Sequence, residues 1–224
     1  MTELRPGFVR PPTAQEAVLA ELRAMISTGE LRPGEPIRQA PVARALGVSR
    51  VPVREALKVL QAEGQAAYSP HRGYVVRTLD PTELRECYRI RELLEAEAVR
   101  VAVPLLSTVD DLAAALSDVE GAAAAGDLLG VAAANRRFHF GLYEASGMPR
   151  LVSLIRILWD TTDPYRSRYV ADPANLRAIN AEHRAVLEAV AGRDAEHAVA
   201  LLDDHRTHAL RTLTAQLEEQ AHDY

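Results

Sequence analysis

In the stretch LGVSRVPVREALKVLQAEG, Arg50, Arg54 and Lys58 recur at four-residue intervals, while Val53, Ala56, Leu57 and Leu60 follow the i, i+3, i+4, i+7 pattern. On a helix the two sets take opposite faces, one apolar and one carrying three cations. Such a helix suits the major groove of duplex DNA. Residues near its N-terminus reach base edges, and a guanidinium can donate two parallel hydrogen bonds to guanine. Ser49 occupies the N-cap position, the amides from Ser49 to Val51 can hold a phosphate, and Pro52 is tolerated in the first turn. A solvated helix face is the plain alternative, and three cations alone do not exclude it.

A second group of residues lies in the other half of the chain. His139, His183 and His205 each fall on the apolar face of a separate amphipathic segment. A buried imidazole without a partner is costly, so each needs one. Hydrogen-bonded core histidines would satisfy that need singly, and one divalent cation would satisfy all three together. Arg91 shares a helical stripe with Tyr88, Leu94, Glu95 and Ala98, where it can form an internal pair with Glu95 at i, i+4.

These residues need elements to position them. Residues 1–12, with three prolines, read as a loose arm. Thr13-Ala14-Gln15-Glu16 has the form of a capping box, opening a helix that Gly29 and Pro33-Gly34 close. A short helix is expected from Pro41 to Leu46, then the cationic helix from Ser49 to about Gly64. Two strand-like pieces, Ala66 to Ser69 and Tyr74 to Arg77, join through Pro70-His71-Arg72-Gly73 as a hairpin. Three helices and a hairpin in this order make a winged helix-turn-helix over residues 1–77, whose tip offers His71, Arg72 and Gly73 to a backbone or minor groove. Residues 78–82 read as a linker. From 83 to 224 the periodicity is helical throughout, with breaks at Pro104, Gly126, Gly147-Met148-Pro149, Pro164, Pro173 and Gly192, which predicts an antiparallel all-α helical bundle. The fold class expected is therefore mainly α.

Bulk properties agree. The whole chain carries a net charge of −5, yet residues 1–76 hold 10 Arg and Lys against 7 Asp and Glu, so the front is basic and the rest acidic. That asymmetry suits a molecule that presents one end to phosphate. The lone cysteine, Cys87, excludes an internal disulfide framework and fits a reducing compartment. No apolar run is long enough to span a membrane, and the N-terminus has charge and prolines where a secretory signal needs an apolar stretch. A cytoplasmic protein without membrane contact is expected.

The segment Gly47-Val48-Ser49-Arg50-Val51-Pro52-Val53-Arg54-Glu55-Ala56-Leu57, followed by HRGYVV, closely resembles the N-terminal domain of the GntR superfamily of bacterial regulators over residues 14–76. The resemblance implies that Arg50 and Arg54 contact operator DNA, with Ser49, Val51 and Pro52 beside them, Lys58 on the same face, and the wing at His71 to Gly73. Arg38 or Arg44 would add a phosphate contact. Val51 stands where the family usually has threonine, and Gln39-Ala40-Pro41 is unusual before the first reading helix. Both departures bear on the operator sequence.

The order Asn135-Arg136-Arg137-Phe138-His139, then Glu182-His183, then His205, resembles the FadR-subfamily ligand-binding bundle, many of whose members hold a metal through Asp, His, His and His. Carried over, the ligands are Asn135, His139, His183 and His205, and the ion is divalent, of the zinc, nickel or manganese class. Asn135 departs from the pattern, because a neutral carbonyl replaces a carboxylate. The resemblance implies a homodimeric repressor that binds a near-palindromic operator and responds to a small organic acid, with Arg91 and Tyr88 the candidates for holding its carboxylate and an internal Arg91–Glu95 pair the alternative. A metal-dependent enzyme using the same histidines and an architectural DNA binder that senses nothing are the rival readings. Against the enzyme, the chain lacks HExxH, Gly-x-Ser-x-Gly and a P-loop.

Overall fold

The computed structural model describes residues 12–222, the side chains of 167, 168, 171, 173 and 220–222 excepted, so the arm expected over 1–12 lies outside the described residues but for Pro12. Helices α1 (Ala14–Ser27), α2 (Gln39–Ala45) and α3 (Arg50–Ala62) precede a hairpin of β1 (Ala66–Ser69) and β2 (Gly73–Val76). Six longer helices follow: α4 (Pro81–Leu105), α5 (Asp110–Ala125), α6 (Leu128–Glu144), α7 (Pro149–Ala171), α8 (Pro173–Ala191) and α9 (Ala195–His222). The chain is mainly α, a winged helix-turn-helix followed by a helical bundle.

The head is built from local signals that mostly act as their chemistry requires. Thr13 Oγ1 accepts from the Glu16 amide at 3.2 Å while the Glu16 carboxylate accepts from the Thr13 amide at 2.6 Å, a complete capping box. Val53, Ala56, Leu57 and Leu60 are fully buried against Val18, Leu22 and Ile26 of α1. Gly47 adopts φ +64 between α2 and α3, a conformation that disfavours residues with a Cβ. Helix α2 begins two residues before Pro41, which sits in its first turn where no amide is needed. Ser49 is the N-cap residue of α3, but its hydroxyl makes no capping hydrogen bond. The strands pair from Ala66↔Val76 to Ser69↔Gly73, and the segment expected as loop adds an edge: the Ile37 amide donates to Tyr74 at 2.8 Å and the Val76 amide to Glu35 at 2.9 Å.

The connection between head and bundle is pinned. Leu79 is buried, its amide donates to the Tyr165 hydroxyl, and Asp80 with Glu83 forms a second capping box, so Pro81 and Thr82 already belong to α4. Helix α1 also rests on α6 and α7. There Ser27 donates to Asp163 at 3.2 Å, and Gly64, at φ +76, faces Thr161 so closely that a Cβ would stand 2.6 Å from Thr161 Oγ1.

In the bundle, α4 packs on α6, α7 and α9, while α5 packs on α6 and α8. One expected break is absent: α7 runs through Pro164 to Ala171. Proline removes one amide at that point, but Trp159, Tyr165 and Tyr169 on either side are buried, and this packing carries the helix past it. Thr161 and Thr162 donate their hydroxyls to Ile157 and Leu158, one turn back, at 2.8 and 3.1 Å.

At the bundle's centre lies a carboxylate. Glu95, 1% exposed, accepts from Arg91 Nε at 2.8 Å and Trp159 Nε1 at 2.7 Å on one oxygen. Its other oxygen accepts from the Tyr143 hydroxyl at 2.9 Å and Arg206 Nη1 at 2.7 Å. Burial pushes its pKa up, but Arg91 and Arg206 overcome that and draw it down to about 2. Removing the charge leaves two buried guanidiniums uncompensated. Glu95→Gln should therefore lower the unfolding free energy by about 3–5 kcal/mol in denaturant titration at neutral pH. Because the folded pKa is depressed, the wild-type advantage is complete above pH 4.5 and shrinks as pH falls toward 2.

Candidate functional site

The first candidate surface is the outer face of the head. Ser49, Arg50, Arg54 and Lys58 are exposed along α3, and Val51, also on that face, is 57% exposed. Pro52 is half-buried beside them. Arg54 and Lys58 share Glu55, at 3.4 and 3.1 Å, and the Lys58 ammonium holds the Glu55 carboxyl below its usual range. Exposed pairs of this kind are screened by water and salt, so both cations remain free to exchange the carboxylate for phosphate or a base edge. The unused Ser49 hydroxyl leaves the first amides of α3 without a side-chain cap, an anion-accepting arrangement.

Arg38 caps α2 by position and Arg44 closes it, and both are exposed. The wing turns through Pro70-His71-Arg72, with the Arg72 amide donating to Ser69 at 3.2 Å and His71 at φ +70. His71 and Arg72 are exposed and Gly73 is half-buried in β2. Tyr68, 60% exposed, meets Tyr74 edge to face with ring centroids 5.4 Å apart. Both strands of this hairpin are legible in the sequence, but the pairing that puts Tyr68 against Tyr74 is seen only in the structure.

The second candidate is the histidine cluster. His139 from α6, His183 from α8 and His205 from α9 place a nitrogen each within 4.8 Å of one another, and the Nε2 atoms of His139 and His183 are 3.0 Å apart. Rings of His139 and His205 stack at 5.3 Å between centroids. His139 and His183 are buried, and desolvation, with the neighbouring imidazoles second, pushes both pKa values well below the ordinary histidine range. They are therefore neutral at physiological pH, the form that ligates a metal.

The orientation of two rings is fixed from behind. Glu182 accepts from His205 Nδ1 at 2.6 Å, which leaves Nε2 of that ring as the ligating nitrogen. The Tyr143 hydroxyl stands 3.4 Å from His139 Nδ1 while donating to Glu95. Neutral His139 and His183, converging with His205 and its carboxylate partner Glu182, fit a borderline-soft divalent ion.

Not every expected site residue joins the cluster. Asn135 is one turn before His139 on α6, half-buried, and lines a cavity facing the head. Arg91 is committed to Glu95, the internal pair weighed as the alternative, and lies between the rings of Tyr88 and Trp159 at 4.7 and 4.6 Å. Its Nη1 and the Tyr88 hydroxyl, both buried, have no hydrogen-bond partner. His208, one turn from His205, is exposed and shares Glu182 through its Nδ1 at 2.6 Å. Trp159, Tyr143 and Arg206 were missed. Only Tyr143 carried a signal, standing at i+4 from His139.

No described helix is long and apolar enough to cross a membrane. Residues 14–76 match the family model "Bacterial regulatory proteins, gntR family", and residues 86–208 match the model "FCD domain". The chain is 33% identical to the HTH-type transcriptional regulator McbR of Escherichia coli K12 over 180 residues, covering 79% of this chain and 81% of that one. The solved structure of E. coli McbR/YncC superposes with a TM-score of 0.78 at 30% identity, covering 94% of this chain and all of that one. A GntR structure from Rhodococcus sp. RHA1 gives 0.78 at 25% identity, with 90% and 97% covered. These relatives are transcription regulators, which removes the enzyme reading. The chain belongs to the GntR family, as a DNA-binding transcription regulator whose second domain is an FCD effector-binding domain.

Proposed function

We propose that the protein is a metal-dependent repressor of the FadR type, which binds a near-palindromic operator as a homodimer and is released by a small organic acid. The observation that carries the metal centre is the convergence of His139, His183 and His205, the last backed by Glu182. Asn135, at i+4 spacing before His139, would contribute its carbonyl after a rotamer change. The ion, of the zinc, nickel or manganese class, would supply open coordination positions for the acid's carboxylate. Arg91 Nη1 and the Tyr88 hydroxyl, both without a hydrogen-bond partner, would be donors for the acid's remaining oxygens.

On the head, Arg50 and Arg54 read base edges and Val51 meets a thymine methyl, a contact that its exposed apolar side chain suits. Lys58, Ser49, Arg38, Arg44 and the wing from His71 to Gly73 hold the phosphate backbone. Residues 1–77 and 83–224 act as two bodies of one switch, and the acid changes operator affinity by its differential binding to their arrangements.

Two experiments test this reading. With an operator selected from random duplexes, Arg54→Ala should weaken specific binding about 5- to 150-fold and leave the melting temperature nearly unchanged; an intact footprint refutes the assignment of α3. For the metal centre, His183→Ala should abolish bound metal by mass spectrometry, and Glu182→Gln should lower metal affinity about 10- to 100-fold. Metal content untouched by His183→Ala refutes the site.

A further inference from the structure

A cavity of about 360 Å³ lies between α1 of the head and α6 and α7 of the bundle. It falls in the size range of small-molecule sites, and none of the three clustered histidines lines it. Four arginines, Arg23, Arg136, Arg156 and Arg166, face it against two aspartates, Asp160 and Asp163. Both aspartates are already neutralised: Arg136 stands 2.7 Å from Asp160, and Arg166 Nη2 pairs with Asp163. The remaining wall is apolar, with Leu129, Ala132 and Val170 beside Trp159.

Three polar atoms of this wall find no partner within the described residues, although Arg23 and Arg166 are each ion-paired through another nitrogen, to Glu63 and Asp163. Gln65, 1% exposed, has no hydrogen-bond partner for Oε1. Arg166 Nη1 and Arg23 Nε, both buried, have none either. The Arg166 guanidinium lies over the Trp159 ring, its Cζ 4.0 Å from the centroid, and its pair with Asp163 holds it there. Two cationic donors and one neutral acceptor, set in an apolar wall, describe the complement of one kind of molecule.

We propose that this cleft is a second ligand site, which takes a small amphipathic organic acid. The carboxylate accepts from Arg166 and Arg23, a hydroxyl donates to Gln65, and an apolar body covers Trp159 and the leucine wall. Because the head and the bundle both supply walls, an occupant binds one arrangement of the two domains better than any other. Occupancy therefore shifts operator affinity.

The test uses the full chain after chelation of metal, titrated calorimetrically with 4-hydroxybenzoate, with benzoate (no hydroxyl) and with 4-hydroxybenzyl alcohol (no carboxylate). Saturable 4-hydroxybenzoate binding is expected, about tenfold weaker for each control and for Gln65→Leu and Arg166→Met. Ala132→Phe, which fills the cleft from α6 without touching a charge, should abolish binding and covers the case in which Arg166→Met does not fold. His183→Ala should bind 4-hydroxybenzoate as the parent does, which separates this cleft from the metal centre. Absent 4-hydroxybenzoate binding, equal binding of all three compounds, binding that survives Ala132→Phe, or binding lost in His183→Ala overturns the proposal.

Discussion

A carboxylate buried at the centre of a helical bundle imposes a strict condition, because its charge must be met by donors that the chain brings from far apart. Glu95 of α4 meets it with Arg91 from its own helix, Tyr143 from α6, Trp159 from α7 and Arg206 from α9. Four helices thereby have their relative rotation fixed at one point. Apolar packing around Phe138, Leu142, Ile155 and Leu202 supplies the burial, but it tolerates repacking that a four-donor carboxylate does not. An ion cluster of this kind specifies an arrangement more than it stabilises one.

Two of these residues reach the histidine cluster. Tyr143 touches His139 from behind, and Trp159 lies 4.9 Å from the His139 ring. Arg166 covers the other face of the path, stacked on Trp159 and paired with Asp163, which accepts from Ser27 at the end of α1. Helix α1 in turn carries α3 on its buried face. The route from the histidines to the DNA-reading helix is thus a contiguous set of packed and hydrogen-bonded groups. Contiguity becomes coupling when the head and bundle have two arrangements that ligands bind unequally. Ser27 on Asp163 and Gly64 against Thr161 are two of the contacts through which such a change would pass.

Much of this was legible in the sequence. The reading head was, because helix periodicity, the Gly47 turn and the hairpin are short-range signals that each residue states locally. The three histidines were also legible, since imidazoles on apolar faces stand out wherever the periodicity is clear. The centre around Glu95 was not: Arg91–Glu95 could be read as an i, i+4 pair, but Tyr143, Trp159 and Arg206 join it only through tertiary packing. Pro164 misled for the opposite reason, as a strong local breaker that buried aromatics on both sides override. Asn135 and Glu182 show the limit from a third side. The fourth ligand position was inferred by likeness, whereas the carboxylate that orients His205 is visible only in three dimensions.

The claim on which the functional account turns is that the state of the histidine centre is felt at α3. It is tested most directly by operator affinity, measured by fluorescence anisotropy at fixed salt for the metal-loaded protein and for the same sample after chelation. A change of about fivefold or more is predicted, the span expected of a real coupling free energy. Identical affinity in the two states, with metal removal verified, would contradict it.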